Sequence, residues 1–514
     1  MDVSGAGKSA SYSIPNAYQC LGSYVFTDPK GELYDRTAGY LKSKGYKIKV
    51  LNLVNPACSD GYNPLLHIKS NIDVDVIANI VVKGQKSEGA SSADPFWDDM
   101  SEMLLKALIY YLIATRPEEE QNLASCAELV RAANNKGGTN LLTDLMSQLP
   151  IDHPARMNYK SIEIASDKTY QSILSTLQSK LGKFDSKEIA ELTSTDTIDF
   201  EEIGSQKTAL YVISSDTHTA YDFILTIFFS QMIQQLYDYA DKNGGKLKEQ
   251  TFFILDEFAN IGKIPDFDKK ISTSRSRKIS FSVILQNIDQ LEAVYEKSYE
   301  TIMGNCDTHL FLGSNSFKTV EYFSKQLGEK TIGHDSISVS KDNKNHKTGK
   351  SISDQIMARA LMTPDELRRM SMDKCIIFVK GLKPVKADKF YYFKKPMAKV
   401  MSGLEISHND IEQVDRGEWR KYNPYNPYKE EENLNEKAQD LNIESLDDLF
   451  GDDFEEKNET NYEEITIPRQ RESNQLQLDF DQEQTDVIET DEEYDLQKEL
   501  EAKFDELFGP KDEE

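Results

Sequence analysis

The residues Ser4-Gly5-Ala6-Gly7-Lys8-Ser9 have the spacing of the second half of a phosphate-binding loop, GxxxxGK[ST]. Glycines let a backbone curl and aim its N–H groups at phosphate oxygens. The lysine reaches the β- and γ-phosphates, and the following hydroxyl ligates Mg²⁺. Gly5, Ala6, Gly7, Lys8 and Ser9 are therefore the expected cofactor-binding residues, with a nucleoside triphosphate and Mg²⁺ as the cofactors. The next helix would turn its positive N-terminus to the same phosphates. An ordinary glycine-rich turn uses the same residue types. Two features also depart from the full pattern: Asp2 stands at the first glycine position, and no strand precedes the loop.

Phe252-Phe253-Ile254-Leu255-Asp256-Glu257 is an apolar run ending in two acids. A buried strand of this kind delivers Asp256 to the Mg²⁺ shell beside Ser9. Glu257 then sits where it can polarise an attacking water. A strand running into an acidic helix cap looks similar, but behind a Gly-Lys-Ser loop the catalytic reading is the stronger one. The next run, Phe281–Leu285, ends in Gln286. Ligand-facing residues gather at the C-terminal ends of parallel strands, so Gln286 could contact the γ-phosphate or the water; a solvated residue opening a helix is the alternative. Arg275 and Arg277 lie in the polar segment between these runs. Either could stabilise developing phosphate charge, in cis or from a neighbouring subunit, or could be a surface or nucleic-acid backbone contact.

The elements that must position these residues alternate. A helix over roughly Ser9–Leu21 leads to a strand at Tyr24–Thr27, a turn at Asp28-Pro29-Lys30-Gly31, a second helix and a strand at Lys47–Leu53. Lys83–Asp94 reads as a loop. From Pro95 to about Leu192 apolar residues recur at three and four (Met103, Leu104, Ala107, Leu108, Tyr111, Leu112), with further helical stretches at Ala124–Asn134, Asn140–Leu149 and Thr169–Leu181. Strands return at Thr208–Ile213, Thr251–Leu255, Ser280–Leu285 and Thr308–Leu312, then at Lys374–Val379 and Asp388–Phe393, with a polar loop at Ser336–Lys350. The expected architecture is α/β: a domain with a parallel-rich sheet flanked by helices, in two parts (1–94 and 193–400), interrupted by an all-α insert (95–192). A disordered acidic tail (401–514) follows.

The chain of 514 residues carries a net charge of −27, but residues 430–514 hold 32 acidic against 7 basic residues. The acidity therefore belongs to the tail, and the body is close to neutral. Five scattered cysteines with no CxxC pair exclude a disulfide framework and a zinc site. The most apolar stretches, Leu104–Ala114 and Phe223–Leu236, are too short or too polar to span a bilayer and read as buried helices.

Together these motifs resemble the type IV coupling proteins, the TraG/TraD-like ATPases of conjugation and type IV secretion. The resemblance rests on Gly5–Ser9, Thr27-Asp28-Pro29-Lys30-Gly31-Glu32, Tyr62-Asn63-Pro64-Leu65, Asp94-Pro95-Phe96-Trp97, Leu255-Asp256-Glu257-Phe258, Gln286 and Met303-Gly304-Asn305-Cys306-Asp307-Thr308, and covers roughly residues 1–395. It implies a RecA-like P-loop NTPase domain carrying an all-α domain, assembled as a homo-hexameric ring on the cytoplasmic side of the plasma membrane, with ATP sites between subunits. Such a ring would move single-stranded DNA, with its relaxase and accessory DNA-processing proteins, to the type IV secretion channel. It favours Arg275 as the arginine acting in trans and Gln286 as the sensor, and assigns partner recognition to the all-α domain. Lys269, Lys270 and Lys278 are candidate DNA-backbone contacts.

The chain departs from that family at its start, where members carry a membrane anchor, a strand and a complete loop. A late start, a split gene with the anchor on another chain, or a decayed copy would each account for this. The second reading is a hydrolysis-deficient adaptor that recruits cargo through its helical domain and tail. A chromosome-handling translocase of the FtsK/HerA type fits the Asp-Pro-Lys-Gly-Glu run and the insert less well. In the tail, Leu446–Gly451 is nearly repeated as Phe504–Gly509. The pair is expected to dock a basic partner, against the plainer reading of a solubilising tail; mimicry of DNA is a further possibility.

Overall fold

The computed structural model describes residues 7–84, 94–133, 140–215, 220–341, 348–412 and 414–424. Five strands, β1 (Ser23–Thr27), β2 (Lys47–Asn52), β3 (Thr208–Ile213), β4 (Thr251–Leu255) and β5 (Ile279–Val283), form one sheet in the order β2-β3-β1-β4-β5. Every pairing in it is parallel. Parallel strands covered on both faces need continuous apolar runs, and every residue of β1 and β3 is buried. Alternate side chains serve opposite faces. Tyr24 and Phe26 pack with Tyr34 and Leu41 of the helix Glu32–Ser43, whereas Val25 and Phe253 join the larger core on the other face. β5 is an edge strand, as is β2, and is only half-buried beyond Ile279.

That larger core is continuous with the helices between β2 and β3. These include Asn71–Lys83, Pro95–Thr115, Leu123–Ala133, Leu141–Ser147, Pro154–Glu163, Asp167–Leu181 and Lys187–Leu192. No strand lies among them in the described residues. Leu104, Leu108 and Leu112 lie along the first long helix in that core, together with Leu129, Ile173 and Leu177. The second long apolar stretch falls in the helix Asp222–Lys242, whose Phe228, Phe229 and Ile233 are fully buried. Among the described residues no helix is long and apolar enough to cross a membrane.

The remaining strands are β6 (Thr308–Phe311), β7 (Glu329–Lys341), β8 (Thr348–Ala360), β9 (Lys374–Val379) and β10 (Val385–Asp388). β10, β9 and β6 form an antiparallel sheet in that order, and β7 and β8 pair with each other. The polar loop expected at Ser336–Lys350 is instead largely hairpin, in register from Glu329↔Ala360 to Lys341↔Thr348. The alternation of Ile337 and Val339 with Ser336, Ser338 and Ser340 has the period of a strand, which the polar composition obscured. The strand expected at Asp388–Phe393 ends at its first residue. Asp388 pairs with Lys374, where β9 begins, so no partner remains beyond it. Lys389 N–H turns to the Asp373 carbonyl at 2.7 Å instead.

The helix expected over Ser9–Leu21 is a π-helical turn, Ser9–Ser13, followed by a short α-helix, Ile14–Tyr18. Pro15 has no N–H to offer the Ser11 carbonyl, and its ring crowds that oxygen. The turn widens just before it, with Ile14 N–H reaching back to Ser9. Of the loop expected at Lys83–Asp94, residues 85–93 lie outside the described ones.

The start of the expected tail is also corrected, because the chain packs on the body as far as Pro424. Asp35 accepts from His408 N–H at 2.7 Å, and Arg416 donates to the carbonyls of Ser59, at 2.9 Å, and Pro56. Arg420 donates to Glu120 at 2.7 Å, and the Arg116 guanidinium lies 4.2 Å over the Tyr422 ring. These anchors are isolated polar and aromatic side chains, so no apolar period announced them. Leu446–Gly451 and Phe504–Gly509 lie outside the described residues.

Candidate nucleotide site

Leu255, at the end of β4, is in register with Thr27 on one side and Val283 on the other. The strand therefore releases Asp256 at the C-terminal edge of the sheet, where Thr27 Oγ1 donates to the Asp256 carbonyl at 2.7 Å. The chain turns sharply there. Glu257 has φ 49° and ψ 48°, a left-handed conformation that strains a residue with a side chain. Two hydrogen bonds hold the turn: Phe258 N–H to the Ile284 carbonyl, and Glu257 N–H to Asp256 Oδ1, both at 3.1 Å.

The turn brings both acids to the start of the first helix. Lys8 Nζ lies 2.5 Å from Glu257 Oε1 and 3.7 Å from Asp256 Oδ1. Ser9 Oγ donates to Asp256 Oδ2 at 3.1 Å. Gln286, just beyond β5, donates its side-chain amide to the same Glu257 Oε1 at 3.0 Å. Its own N–H is held by Gln290 at 3.1 Å. Lys8, Ser9, Asp256, Glu257 and Gln286 thus converge from three separate segments on one cavity of about 2110 Å³. Asp256 is 8% exposed. Burial pushes its carboxyl upward, against the pull of the Lys8 ammonium and the Ser9 hydroxyl, and the Glu257 charge adds to the rise.

Gly7 opens the helix with φ +70°, and a Cβ there would meet Tyr391 Cε1 at 3.0 Å. Gly5 and Ala6 lie outside the described residues. Tyr391, buried and donating to the Met372 carbonyl at 3.0 Å, forms a wall of the loop that no motif signalled. Asp28 is a second residue whose role the sequence left open. It lines the cavity, and its Oδ2 accepts from Tyr34 N–H at 2.8 Å, which caps the helix Glu32–Ser43. Burial pushes its carboxyl up to about 7, and the charges of Asp35 and Glu32 add to the rise.

The arginines lie elsewhere. Arg275 and Arg277 precede β5, at the opposite end of the sheet from Asp256 and Gln286. Arg277 donates to both carboxylate oxygens of Asp241, at 3.0 and 3.2 Å, and stacks 4.7 Å over Tyr237. That makes it part of the scaffold. Arg275 has a side chain 90% exposed and touches Asp307 at 3.2 Å, so within one chain it does not reach the site. Lys269 and Lys278 are exposed, whereas burial pulls the half-buried Lys270 ammonium downward.

Among the described residues no cluster of three or more His, Cys, Asp or Glu could hold a metal. Ser9 and Asp256 supply hard oxygens 3.1 Å apart. That donor set fits Mg²⁺, which takes one or two protein oxygens and completes its octahedron with phosphate and water.

Residues 3–414 match the model of the family described as type IV secretory system conjugative DNA transfer. The chain is 24% identical over 428 residues to conjugal transfer protein TraG of Escherichia coli, covering 76% of this chain and 66% of that protein. It is 24% identical over 413 residues to protein VirD4 of Rhizobium radiobacter, covering 76% and 56%. It therefore spans less than two thirds of the length of these relatives. Among solved structures, bacterial conjugative coupling protein TrwBdeltaN70 in complex with sulphate aligns at TM-score 0.49 and 14% identity, over 73% of this chain and 86% of that one. Plasmid coupling protein TrwB in complex with ADP and Mg²⁺ aligns at 0.48 and 14%, with the same coverage. With the family model spanning most of its length, the chain belongs to the type IV secretory system conjugative DNA transfer family.

Proposed function

We propose that this chain is the ATP-hydrolysing part of a coupling protein that recruits a relaxase–DNA complex and drives single-stranded DNA toward a type IV secretion channel. The observation that carries the ATPase reading is the convergence of Lys8 and Gln286 on one oxygen of Glu257, beside the Ser9–Asp256 pair. Bound Mg²⁺ would neutralise phosphate charge and orient the terminal phosphoryl group. Ser9 and Asp256 would hold it, Asp256 by virtue of its place at the end of a rigid buried strand. Lys8 meets the β- and γ-phosphates, and in moving to them it leaves Glu257 without its cation. Glu257 is then free to take a proton from the attacking water. The water oxygen bonds to the γ-phosphorus as the bond to the bridging oxygen breaks, releasing ADP and phosphate. Gln286 holds the carboxylate in place and senses the γ-phosphate.

Arg275, exposed at the far end of the sheet, fits a role across a subunit boundary, which requires a neighbouring subunit; the proposed assembly is a homo-hexameric ring. The helical segment 95–192 is the proposed recognition domain, and the proposed location is the cytoplasmic face of the membrane. The deciding experiment measures ATP hydrolysis by the full chain, with and without single-stranded DNA, beside Glu257→Gln. Loss of a general base lowers turnover by about 10²- to 10⁴-fold while ATP binding survives. An unchanged rate in the variant rejects the assignment. A chain that binds relaxase but hydrolyses nothing supports the adaptor instead.

A further inference from the structure

Between β9 and β10 the chain makes a tight turn. Leu382 N–H donates to the Val379 carbonyl at 3.0 Å, and Gly381 takes the left-handed φ of 81° that glycine accommodates at such a corner. The turn stands on a fixed support. Ile376 and Phe378 of β9 are buried with Phe311, Val320 and Phe323, and Lys380 N–H donates to the Asp307 carbonyl at 2.9 Å. What the turn presents is Lys380-Gly381-Leu382-Lys383-Pro384-Val385-Lys386, a run in which every residue is exposed. Leu382 is 70% exposed and Val385 55%. Lysines alternate with these aliphatic side chains, and no acid interrupts them.

At the other end of the hairpin the lysines are neutralised: Lys374 lies 2.5 Å from Asp388, and Lys394 lies 3.3 Å from Asp373. Among the described residues no carboxylate pairs with Lys380, Lys383 or Lys386. Free positive charge mixed with exposed aliphatic surface narrows the choice of partner. Lysine is depleted from interfaces between proteins. Single-stranded nucleic acid asks for aromatic rings to stack on its bases, and residues 379–388 contain none. An anionic lipid surface takes both kinds of side chain. Lysine stems lie along the apolar boundary with their ammonium groups at the phosphates, and aliphatic tips enter below them.

We propose that the turn Lys380–Lys386 docks tip-first on an anionic phospholipid surface, with its three lysines at the headgroup phosphates and Leu382 and Val385 in the acyl boundary. The inference rests on the proposed location at the membrane and adds the chemistry of the contact. At physiological salt charges act over only about 8 Å, so these lysines, and not the chain's net charge of −27, govern it. Tyr391, the wall of the loop at Gly7, follows the opposite end of the hairpin. Substitutions in the turn therefore leave that wall in place.

The test is co-sedimentation of the full chain with vesicles of phosphatidylcholine, alone or mixed with phosphatidylglycerol. Binding to the mixed vesicles only is expected. Lys380→Gln, Lys383→Gln and Lys386→Gln should each weaken it about fivefold, and together about a hundredfold. Leu382→Ser with Val385→Ser should weaken it about tenfold at unchanged charge. Lys160→Gln, Lys168→Gln and Lys187→Gln together remove the same charge from exposed positions on the helical segment and should change nothing. In Leu382→Trp, brominated lipid should quench the added fluorescence. Absence of binding to the mixed vesicles overturns the proposal, as does full affinity in the turn variants, equal loss in the helical-segment variant, or an unquenched Trp. A turn variant that loses single-stranded DNA but keeps vesicles makes the turn a nucleic-acid contact and overturns it too. Membrane fractionation of cells that contain the secretion partners reads the location separately. A chain found with the membranes, whose turn variants bind vesicles as the parent does, overturns the role of the turn alone.

Discussion

Replacing Asp28 by asparagine should stabilise this protein, and increasingly so as the pH rises. Asp28 is 2% exposed, and its carboxyl is held at about 7 against an ordinary 3.8. Burial is the main cause, reinforced by Asp35 and Glu32 and opposed by the N–H groups of Tyr34 and Leu33. Below pH 3.8 the folded and unfolded chains both carry the proton. Between 3.8 and 7 the unfolded chain releases it while the folded chain keeps it, so stability falls as pH rises and levels off above 7. About three pH units at about 1.4 kcal/mol each give about 4 kcal/mol, an upper bound once the site relaxes. About 1 kcal/mol of this accrues between about pH 6 and about pH 8.5. Asparagine has the shape of the protonated acid, keeps an acceptor for Tyr34 N–H, and carries no charge at any pH. Thermal unfolding followed by intrinsic fluorescence, over that range and away from the sequence pI near 4.8, compares the two proteins. The variant should melt higher at the alkaline end, with a margin that narrows toward pH 6. An equal or lower melting point at about pH 8.5, or a margin that ignores pH, would refute the account of Asp28.

Other substitutions separate scaffold from site. Gly7→Ala meets both a left-handed φ of +70° and Tyr391 at 3.0 Å, so nucleotide binding by fluorescent-analogue titration should be lost. Gly45→Ala, at φ +83° with open space around it, should cost only about 1–2 kcal/mol of stability and leave binding intact. Asp256→Asn should raise the Mg²⁺ concentration needed for half-maximal turnover about tenfold or more, with ATP binding in the absence of metal little changed. Arg277→Ala breaks the bidentate pair with Asp241 and the stack on Tyr237. It should lower stability by about 1–2 kcal/mol with turnover retained by the folded fraction. Arg275→Ala and Lys8→Ala should each abolish turnover alone and recover part of it when mixed, if one subunit's arginine serves its neighbour's site; no recovery on mixing removes the trans role.

Much of the arrangement was legible from local pattern. A Gly-Lys-Ser turn, an apolar run ending in Asp256-Glu257 and a run ending before Gln286 each encode a short backbone conformation through steric and solvation rules. Those rules act within a few residues, so β1 to β5 were found to within a residue or two at most ends. The β7–β8 hairpin was missed because serine-rich composition masked an alternation that is also local. Other features depend on partners far away in the chain. That Lys8 and Gln286 meet on one Glu257 oxygen follows from a strand order in which β4 lies beside β5 and the first helix crosses their C-terminal ends. That Arg275 lies at the opposite end follows from the same order. Tyr391 against Gly7, His408 against Asp35 and Arg416 on the carbonyls of Ser59 and Pro56 join residues hundreds apart, with nothing periodic to announce them. The sequence by itself determined which groups could carry phosphate chemistry and which runs would be strands, because both are properties of neighbouring residues. Only the tertiary structure decided which groups meet and which carboxyl is buried, because strand pairing and burial depend on contacts between distant segments that no local pattern specifies.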